Sequence, residues 1–406
     1  MINFDNLKYS SKNLMKRKTR SFLTILSIFI GITTIFIFIS FGLGLYDYVN
    51  QLSSETSADK FIVQARGMGA PGTDTTFKLV DDDLEAVKKT KGVKEAQGLY
   101  FKVVQVNFND ETKYTYAIGF IPTPQNQKMF YEMGGQKIVK GRDLKKQDTK
   151  KVVLGYNYQF EKKIFEKPLK IGDKLIINNE KFEIIGFLSE VGNPQDDSQV
   201  YMVEDDLKNL FSDQTLSYGM IFARADNKNE IQRVTDDVTR NLRKERGLKE
   251  GDEDFFVQTF DDLIAQFSTA LNIIIGFVVL IALISVVVSA INTANTMITS
   301  VLERTKEIGV MKAIGARNSV IRNIFLLESS ILGFVAGVFG VIFGALIASA
   351  AGNILESLGW GFLAPHYSWQ LFVALILFAT IVGTLSGVTT AIQASKQNPV
   401  DSLRYE

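Results

Sequence analysis

Four stretches of this chain are free of charge over lengths that cross a lipid bilayer, and no water-soluble fold accommodates that much unbroken apolar chain. The first covers residues 22–45, where sixteen of 24 side chains are Leu, Ile or Phe. At about −0.3 to −0.6 kcal/mol each near a helix centre, they favour insertion by roughly 5–10 kcal/mol. The competing reading is a cleaved signal peptide. The run is longer than a signal core of about 7–15 residues, and no small-x-small site follows it. The second stretch holds 40 uncharged residues between Asp262 and Glu303. The third covers 329–355 and the fourth 371–394. Forty helical residues measure about 60 Å against a hydrocarbon core of about 30 Å. The second stretch is therefore expected to begin outside the membrane as a stalk and then cross, over 267–300. Asp261, Asp262 and Gln266 head one end, and Asn292, Thr293, Asn295 and Thr296 mark the other.

Lys and Arg near the spans set the orientation. Lys8, Lys12, Lys16, Arg17, Lys18 and Arg20 precede the first span, and Arg304, Lys306, Lys312, Arg317 and Arg322 lie between the second and third. Between the third and fourth there is no Lys or Arg. This asymmetry predicts a multi-pass protein of the cell membrane with both termini and the second-to-third loop cytoplasmic, and residues 46–266 outside. Tyr46, Tyr48, Trp360, Tyr367 and Trp369 suit the outer interface, and His366 in the same short loop reads as an interfacial polar residue. Residues 1–21 read as an amphipathic helix on the inner leaflet, with Phe4, Leu7, Ser11 and Leu14 on one face and Lys8, Lys12 and Lys16 on another. A disordered basic anchor is the alternative. Residues 395–406 form a cytoplasmic tail.

Composition removes several chemistries. The chain has no Cys and a single His, which excludes disulfide frameworks, thiol catalysis and Cys-ligated zinc, and argues against His-based metal sites. A net charge of +1 argues against nucleic acid as a partner held by bulk charge. The region 46–266 carries 32 Lys and Arg against 37 Asp and Glu, a net −5, so it is no polybasic lipid binder. Its β-branched and aromatic runs at 60–65, 101–106, 114–118, 151–154, 174–177 and 182–185 predict strands. The last two flank a hairpin-length turn at 178–181. Residues 81–91 begin with acids and end with lysines, as a helix dipole favours. Residues 228–246 place Ile231, Val234, Val238 and Leu242 on one helical face. The fold class is thus four transmembrane α-helices with a large α+β extracytoplasmic domain between the first and second, in two lobes. Residues 68–73 read as a flexible loop. The carboxylate clusters at Asp81–Asp83 and Asp196–Asp197 read as solvated acidic surface rather than a site.

The loop 301–328 holds the most distinctive sequence, ERTKEIGVMKAIGA from Glu303 to Ala316. Its charges crowd the first turn and a half. Ile308, Met311 and Ile314 follow at three-residue spacing, read as one side of a short helix ended by Gly315. Such a helix fits a groove on a cytoplasmic partner or lies on the lipid surface; from the residues alone both readings stand. Glu328 either serves the N-terminus of the third span or pairs with an Arg or Lys of the short helix. The third span carries Gly333, Gly337, Gly340 and Gly344, and the fourth Gly383 and Gly387, small residues that let helices approach closely. Packing within one subunit is favoured over a dimer seam.

The 303–316 segment resembles the coupling-helix signature of the MacB/FtsX family of ABC transporter permeases. KRKTRSFLTILSIFIGI over 16–32 resembles the family's entry into its first span. GRDL at 141–144, VVLG at 152–155 and IGDK at 171–174 resemble the MacB-type extracytoplasmic core domain, and NPVDSLR at 398–404 resembles the family's C-terminal end. The likeness covers essentially the whole chain and its one-plus-three span layout. One departure matters: single-chain MacB carries its own ATPase, but no Gly-x-x-x-x-Gly-Lys-Ser/Thr loop occurs here, nor any Gly-Lys pair. The resemblance therefore implies no catalytic residue, no metal and no cofactor in this chain. ATP and Mg would be bound by a separate P-loop ATPase subunit, and a second permease subunit would complete a homo- or heterodimer. It implies ATPase contacts at Glu303, Arg304, Lys306, Glu307, Ile308, Met311, Lys312, Ile314 and Gly315. Motion would pass through the stalks to the outer domains. The branch with a large outer domain implies export of a peptide, lipoprotein or amphiphilic drug, with a membrane-fusion or other extracytoplasmic protein as a further partner. The other branch implies a mechanotransmitter that regulates an extracellular enzyme or sensor.

Overall fold

The computed structural model describes residues 18–52, 58–66, 77–214 and 216–398. The expected inner-leaflet helix falls almost wholly on residues 1–17, outside the described residues, as do the 68–73 loop and the tail from 399 onward. The chain divides into two compact units. One comprises Met1–Leu45, Ala270–Ile354 and Leu363–Glu406; the other comprises Tyr46–Thr269 and Leu355–Phe362.

The elements run α1 (Lys18–Leu52), β1 (Lys60–Ala65), α2 (Asp81–Lys89), β2 (Val93–Phe108), β3 (Glu111–Phe120), α3 (Pro124–Gly134), β4 (Ile138–Gly141) and β5 (Lys151–Leu154). They continue with β6 (Lys174–Ile177), β7 (Glu180–Leu188), β8 (Val200–Val203), α4 (Glu204–Leu210), β9 (Met220–Ala225), α5 (Ile231–Glu245) and β10 (Phe255–Thr259). Four final helices follow: α6 (Phe260–Glu303), α7 (Thr305–Ala313), α8 (Asn318–Ser357) and α9 (Trp369–Ser395).

α1, α6, α8 and α9 are each long and apolar enough to cross a membrane. Three of them share a core. Ile28, Ile32, Ile35 and Phe36 of α1 pack with Ala336 and Val341 of α8 and Leu371, Leu375 and Ala379 of α9. Their close approach depends on glycine. A Cβ on Gly333 would stand 2.4 Å from the Ala379 carbonyl oxygen, and one on Gly383 would stand 2.7 Å from that of Ser329. Gly337 and Gly387 also face the α8–α9 contact, whereas Gly340 and Gly344 lie against Ile32 and Phe36 of α1. All six glycines thus pack within this chain. Gly333→Ala is expected to lower the thermal unfolding temperature of the purified protein by forcing apart two backbones, a strain of about 1–3 kcal/mol. Gly276→Ala, where an added Cβ meets nothing within 4 Å, is the matched control and is expected to cause no loss.

α6 is stitched to α1 by hydroxyls. The Ser27 and Ser289 hydroxyls lie 2.8 Å apart, and Thr24 donates to Thr296 at 3.2 Å. Of the polar cluster at 292–296, read from sequence as the end of the span, Thr296 meets α1, while Asn292 and Asn295 are exposed, and the helix runs through it unbroken to Glu303. The other side of α6, including Phe277, Leu280 and Ile281, is exposed.

The second unit is built on a ten-stranded mixed sheet in the order β10-β1-β9-β2-β3-β8-β5-β7-β4, with β6 pairing β2 and β7. β3–β8 and β5–β7 are parallel, and the other pairs are antiparallel. The sixteen-residue β2 joins the halves, pairing β9 through Val93–Leu99 and β3 through Tyr100–Phe108. The expected two lobes are therefore one continuous sheet with a core on each face. Alternate residues of one strand enter different cores: Val152 and Leu154 join a cluster with Val87, Val234, Val238 and Leu242, while Val153 joins Phe120, Phe130 and Tyr201. Strands buried on both faces read as continuous apolar runs, which is why VVL and VYMV show no alternation. Both tight hairpins turn on residues that tolerate positive φ: Asn109 (49°) and Asp110 (65°), then Asn178 (45°) and Asn179 (70°). β4, β8, β9 and β10 were not expected from sequence.

The Gly-Arg-Asp-Leu segment has a structural explanation. Gly141 has φ 78°, and a Cβ there would fall 2.2 Å from the Ile185 carbonyl oxygen. Arg142 then grips Asp148 with two bonds of 2.6 and 2.9 Å, and Asp148 also accepts from the Lys145 amide at 2.9 Å. The Arg142 bond is the main reason the Asp148 carboxyl is held down at about 2. A carboxyl depressed on folding stabilises above its ordinary value, and that support fades as pH falls from about 4 toward 2. Asp148→Asn is expected to cost about 1–2 kcal/mol at pH 7, discounted because Arg142 is part-exposed, and nothing near pH 2. Pulse proteolysis of the outer unit across this range checks it.

The acidic clusters also have structural duties. Asp83 accepts from the Val80 amide and pairs with Arg246 at 2.7 Å, and Asp197 accepts from the amides of Val191 and Gly192.

Candidate coupling site

α6 ends where Arg304 leaves the helical conformation (φ −113°, ψ 16°), and a new helix begins at Thr305. α7 closes with a Schellman arrangement: Gly315 takes φ 95°, its amide donates to Lys312 O at 3.0 Å, and the Ala316 amide donates to Met311 O at 2.9 Å. Only a residue free of Cβ strain adopts that conformation readily, so Gly315 is a geometric stop rather than a contact.

Beneath α7 lies a small core of Val301, Ile308, Ile321, Phe325, Ala391 and Ala394, with Met311 packed against it. α7 is thereby clamped between the start of α8 and the end of α9. At its edge, Arg304 donates from Nη1 to Glu328 Oε1 at 2.8 Å and from Nε to Glu307 Oε2 at 2.9 Å. Its guanidinium stands 5.5 Å from the Phe325 ring centre. The Arg304 and Glu328 side chains are only 6% and 2% exposed. Lys312 Nζ donates to Gln397 O at 2.5 Å, tying α7 to the end of α9.

These placements correct the sequence reading at several positions. Ile308 is fully buried, Met311 is half-buried, and Ile314 is 81% exposed, so the three do not share a side. A helix turns about 100° per residue, so each three-residue step drifts by about 60°, and Ile308 and Ile314 end about 120° apart. A charge at Ile308 would therefore damage the chain's own core rather than only a docking face. Arg304, expected as an outward contact, is committed inward to Glu328. Glu328 lies in the interior of α8, which starts at Asn318, so its role is the ion pair and not the helix N-terminus. The outward stripe consists of Glu303, Lys306, Glu307, Val310 and Ile314. Val310, 51% exposed, was missed. The four-residue steps 303–307 and 310–314 were its available signal.

Comparison with known proteins places the chain in a family. The MacB-like periplasmic core domain matches residues 21–241, and the FtsX-like permease C-terminal domain matches residues 270–399. An uncharacterized ABC transporter permease of Methanocaldococcus jannaschii is 32% identical over 99% of this chain and 98% of its own length. YknZ of Bacillus subtilis, also named an uncharacterized ABC transporter permease, is 24% identical over 99% of each. The macrolide export ATP-binding/permease protein MacB of Acinetobacter baylyi is 26% identical over 96% of this chain, which spans 58% of that protein. Since one of these domains matches more than half of the sequence and the similarity to a full-length permease runs end to end, the chain is a multi-pass membrane protein that belongs to the MacB/FtsX-type ABC transporter permeases.

Proposed function

We propose that this permease couples ATP hydrolysis in a separate P-loop ATPase subunit to movement of its extracytoplasmic domain, and so expels a peptide, lipoprotein or amphiphilic drug. The observation that carries the reading is the two-sidedness of α7. One side is locked into the chain by Ile308, Arg304–Glu328 and Lys312, and the other presents Lys306, Glu307, Val310 and Ile314. A helix held so firmly from behind, with mixed charge and apolar groups in front, suits a rigid docking element. The protein itself is a non-catalytic subunit; ATP and Mg belong to the partner. Two permease subunits would face two ATPases, and a membrane-fusion or other extracytoplasmic protein would meet the outer domain. The Lys and Arg asymmetry supports a cytoplasmic position for α7 and both termini.

The test has two parts. Reporters at residues 150 and 363 are expected outside and one at residue 312 inside. Purified from its native membrane, the chain is expected to bring with it a P-loop ATPase and to show no hydrolysis without it. ATP hydrolysis by this chain alone, or a cytoplasmic outer domain, would overturn the reading. Partners that prove to be a cell-wall hydrolase or a sensor kinase would move the assignment to a non-transporting mechanotransmitter.

A further inference from the structure

The outer unit has an open groove of about 510 Å³, within the range of about 300–1,000 Å³ typical of sites for single small ligands. Tyr114, Tyr116 and Tyr158 line it from the β3 hairpin and the turn after β5, and Trp360 closes one side. Trp360 comes from the short segment Leu355–Phe362 between α8 and α9, which clusters with this unit. That segment is seated closely. The Phe362 amide donates to Gly192 O, and a Cβ on Gly359 would stand 3.3 Å from Pro194 Cγ.

Lys113 and Lys163 stand on the same groove. Among the described residues neither has an ion-pair partner, and Lys163 Nζ lies 3.8 Å from where a Gly359 Cβ would be. The nearby carboxylates do not neutralise them. Asp196 accepts from Asn193 Nδ2 and Gln199 Nε2, and Asp197 from two backbone amides. Tyr114 is 72% exposed and Trp360 42%, so both rings are open to a ligand in the groove.

We propose that this groove binds one anionic amphiphile, its apolar body on the tyrosines and Trp360 and its acidic head between Lys113 and Lys163. Aromatic faces alone would also accept a cation, but two unpaired ammonium groups beside them repel one. As the cargo site of the permease, the groove rests on the export reading above; as a binding site it stands on its own geometry. A ligand seated there touches both the sheet and the segment that connects two spans, so occupancy is registered at both.

The chain has two tryptophans, so Trp369→Phe leaves Trp360 as the sole tryptophan, excited apart from the tyrosines at the red edge of the absorption band. That variant, full length in a neutral maltoside detergent, is titrated with lysophosphatidylglycerol, lysophosphatidylcholine and glycerol 3-phosphate. The expected result is a saturable change in Trp360 emission with the anionic lipid, weaker by about tenfold or more with the zwitterionic one, and absent with glycerol 3-phosphate. Lys113→Glu with Lys163→Glu is expected to weaken the anionic response by about tenfold or more at unchanged thermal stability, since both side chains are exposed. Equal responses to the two lipids, a response to glycerol 3-phosphate alone, or an unaltered response in the charge-reversed variant would each overturn the site. ATPase co-purification of the same preparation is scored separately. If the partner is absent while the lipid response persists, the export reading fails and the groove stands; the converse removes the groove and leaves the permease reading intact.

Discussion

Glu328→Ala is expected to destabilise the α7 end of the helical unit by about 3–5 kcal/mol, because it leaves the Arg304 guanidinium buried without its main counter-charge. Glu307, another partner of Arg304, is 59% exposed and recovers little of that loss. Thermal unfolding in detergent and protease cutting within 301–328 measure the effect. The double variant Arg304→Met with Glu328→Leu is expected to recover most of it, since apolar side chains of similar volume replace a buried pair at little net cost. A loss below about 1 kcal/mol in Glu328→Ala would show that water reaches the pair and that α7 is not clamped from behind. Ile308→Asp acts on the same core and is expected to reduce the yield of folded protein, not merely its partner binding.

Val310→Asp with Ile314→Asp is the opposite experiment. Both side chains point outward and touch none of the α7 core, so expression and unfolding temperature are expected to hold. If these residues anchor the ATPase, the substitutions should cost about 2–4 kcal/mol of docking, roughly 30- to 1,000-fold in affinity. Co-purification and permease-stimulated hydrolysis would then fall together. Survival of both would return α7 to the lipid-surface reading. Comparison with Glu328→Ala separates the two faces of one nine-residue helix: one variant unfolds it, the other disconnects it.

Much of the architecture was open to reading from the residues. Forty uncharged positions cannot be anything but a long membrane-associated helix, and α6 runs 44 residues. The helix α2 follows from its acidic start and basic end, and the amphipathic face of α5 from its periodicity, with Val234, Val238 and Leu242 all buried. Less legible were strands such as β8, whose four residues are too few to show a period and are apolar on both faces. The reading of α7 failed for a related reason. Nine residues make two and a half turns, so three-residue and four-residue stripes look alike in sequence and differ by a third of the circumference in space. Which stripe faces inward is decided by Ile321, Phe325, Ala391 and Ala394, up to 86 positions further along the chain. The Arg304–Glu328 bond is likewise a tertiary fact. Sequence offered it only as one of two roles for Glu328.

The unbroken course of α6 has a mechanical corollary. At about 1.5 Å per residue it is a bar about 66 Å long, and a tilt of only about 5° about one end sweeps the other through about 6 Å. Backbone hydrogen bonds keep the bar straight only while none of them opens, so a proline midway, at Ile281 for instance, would put a joint into it.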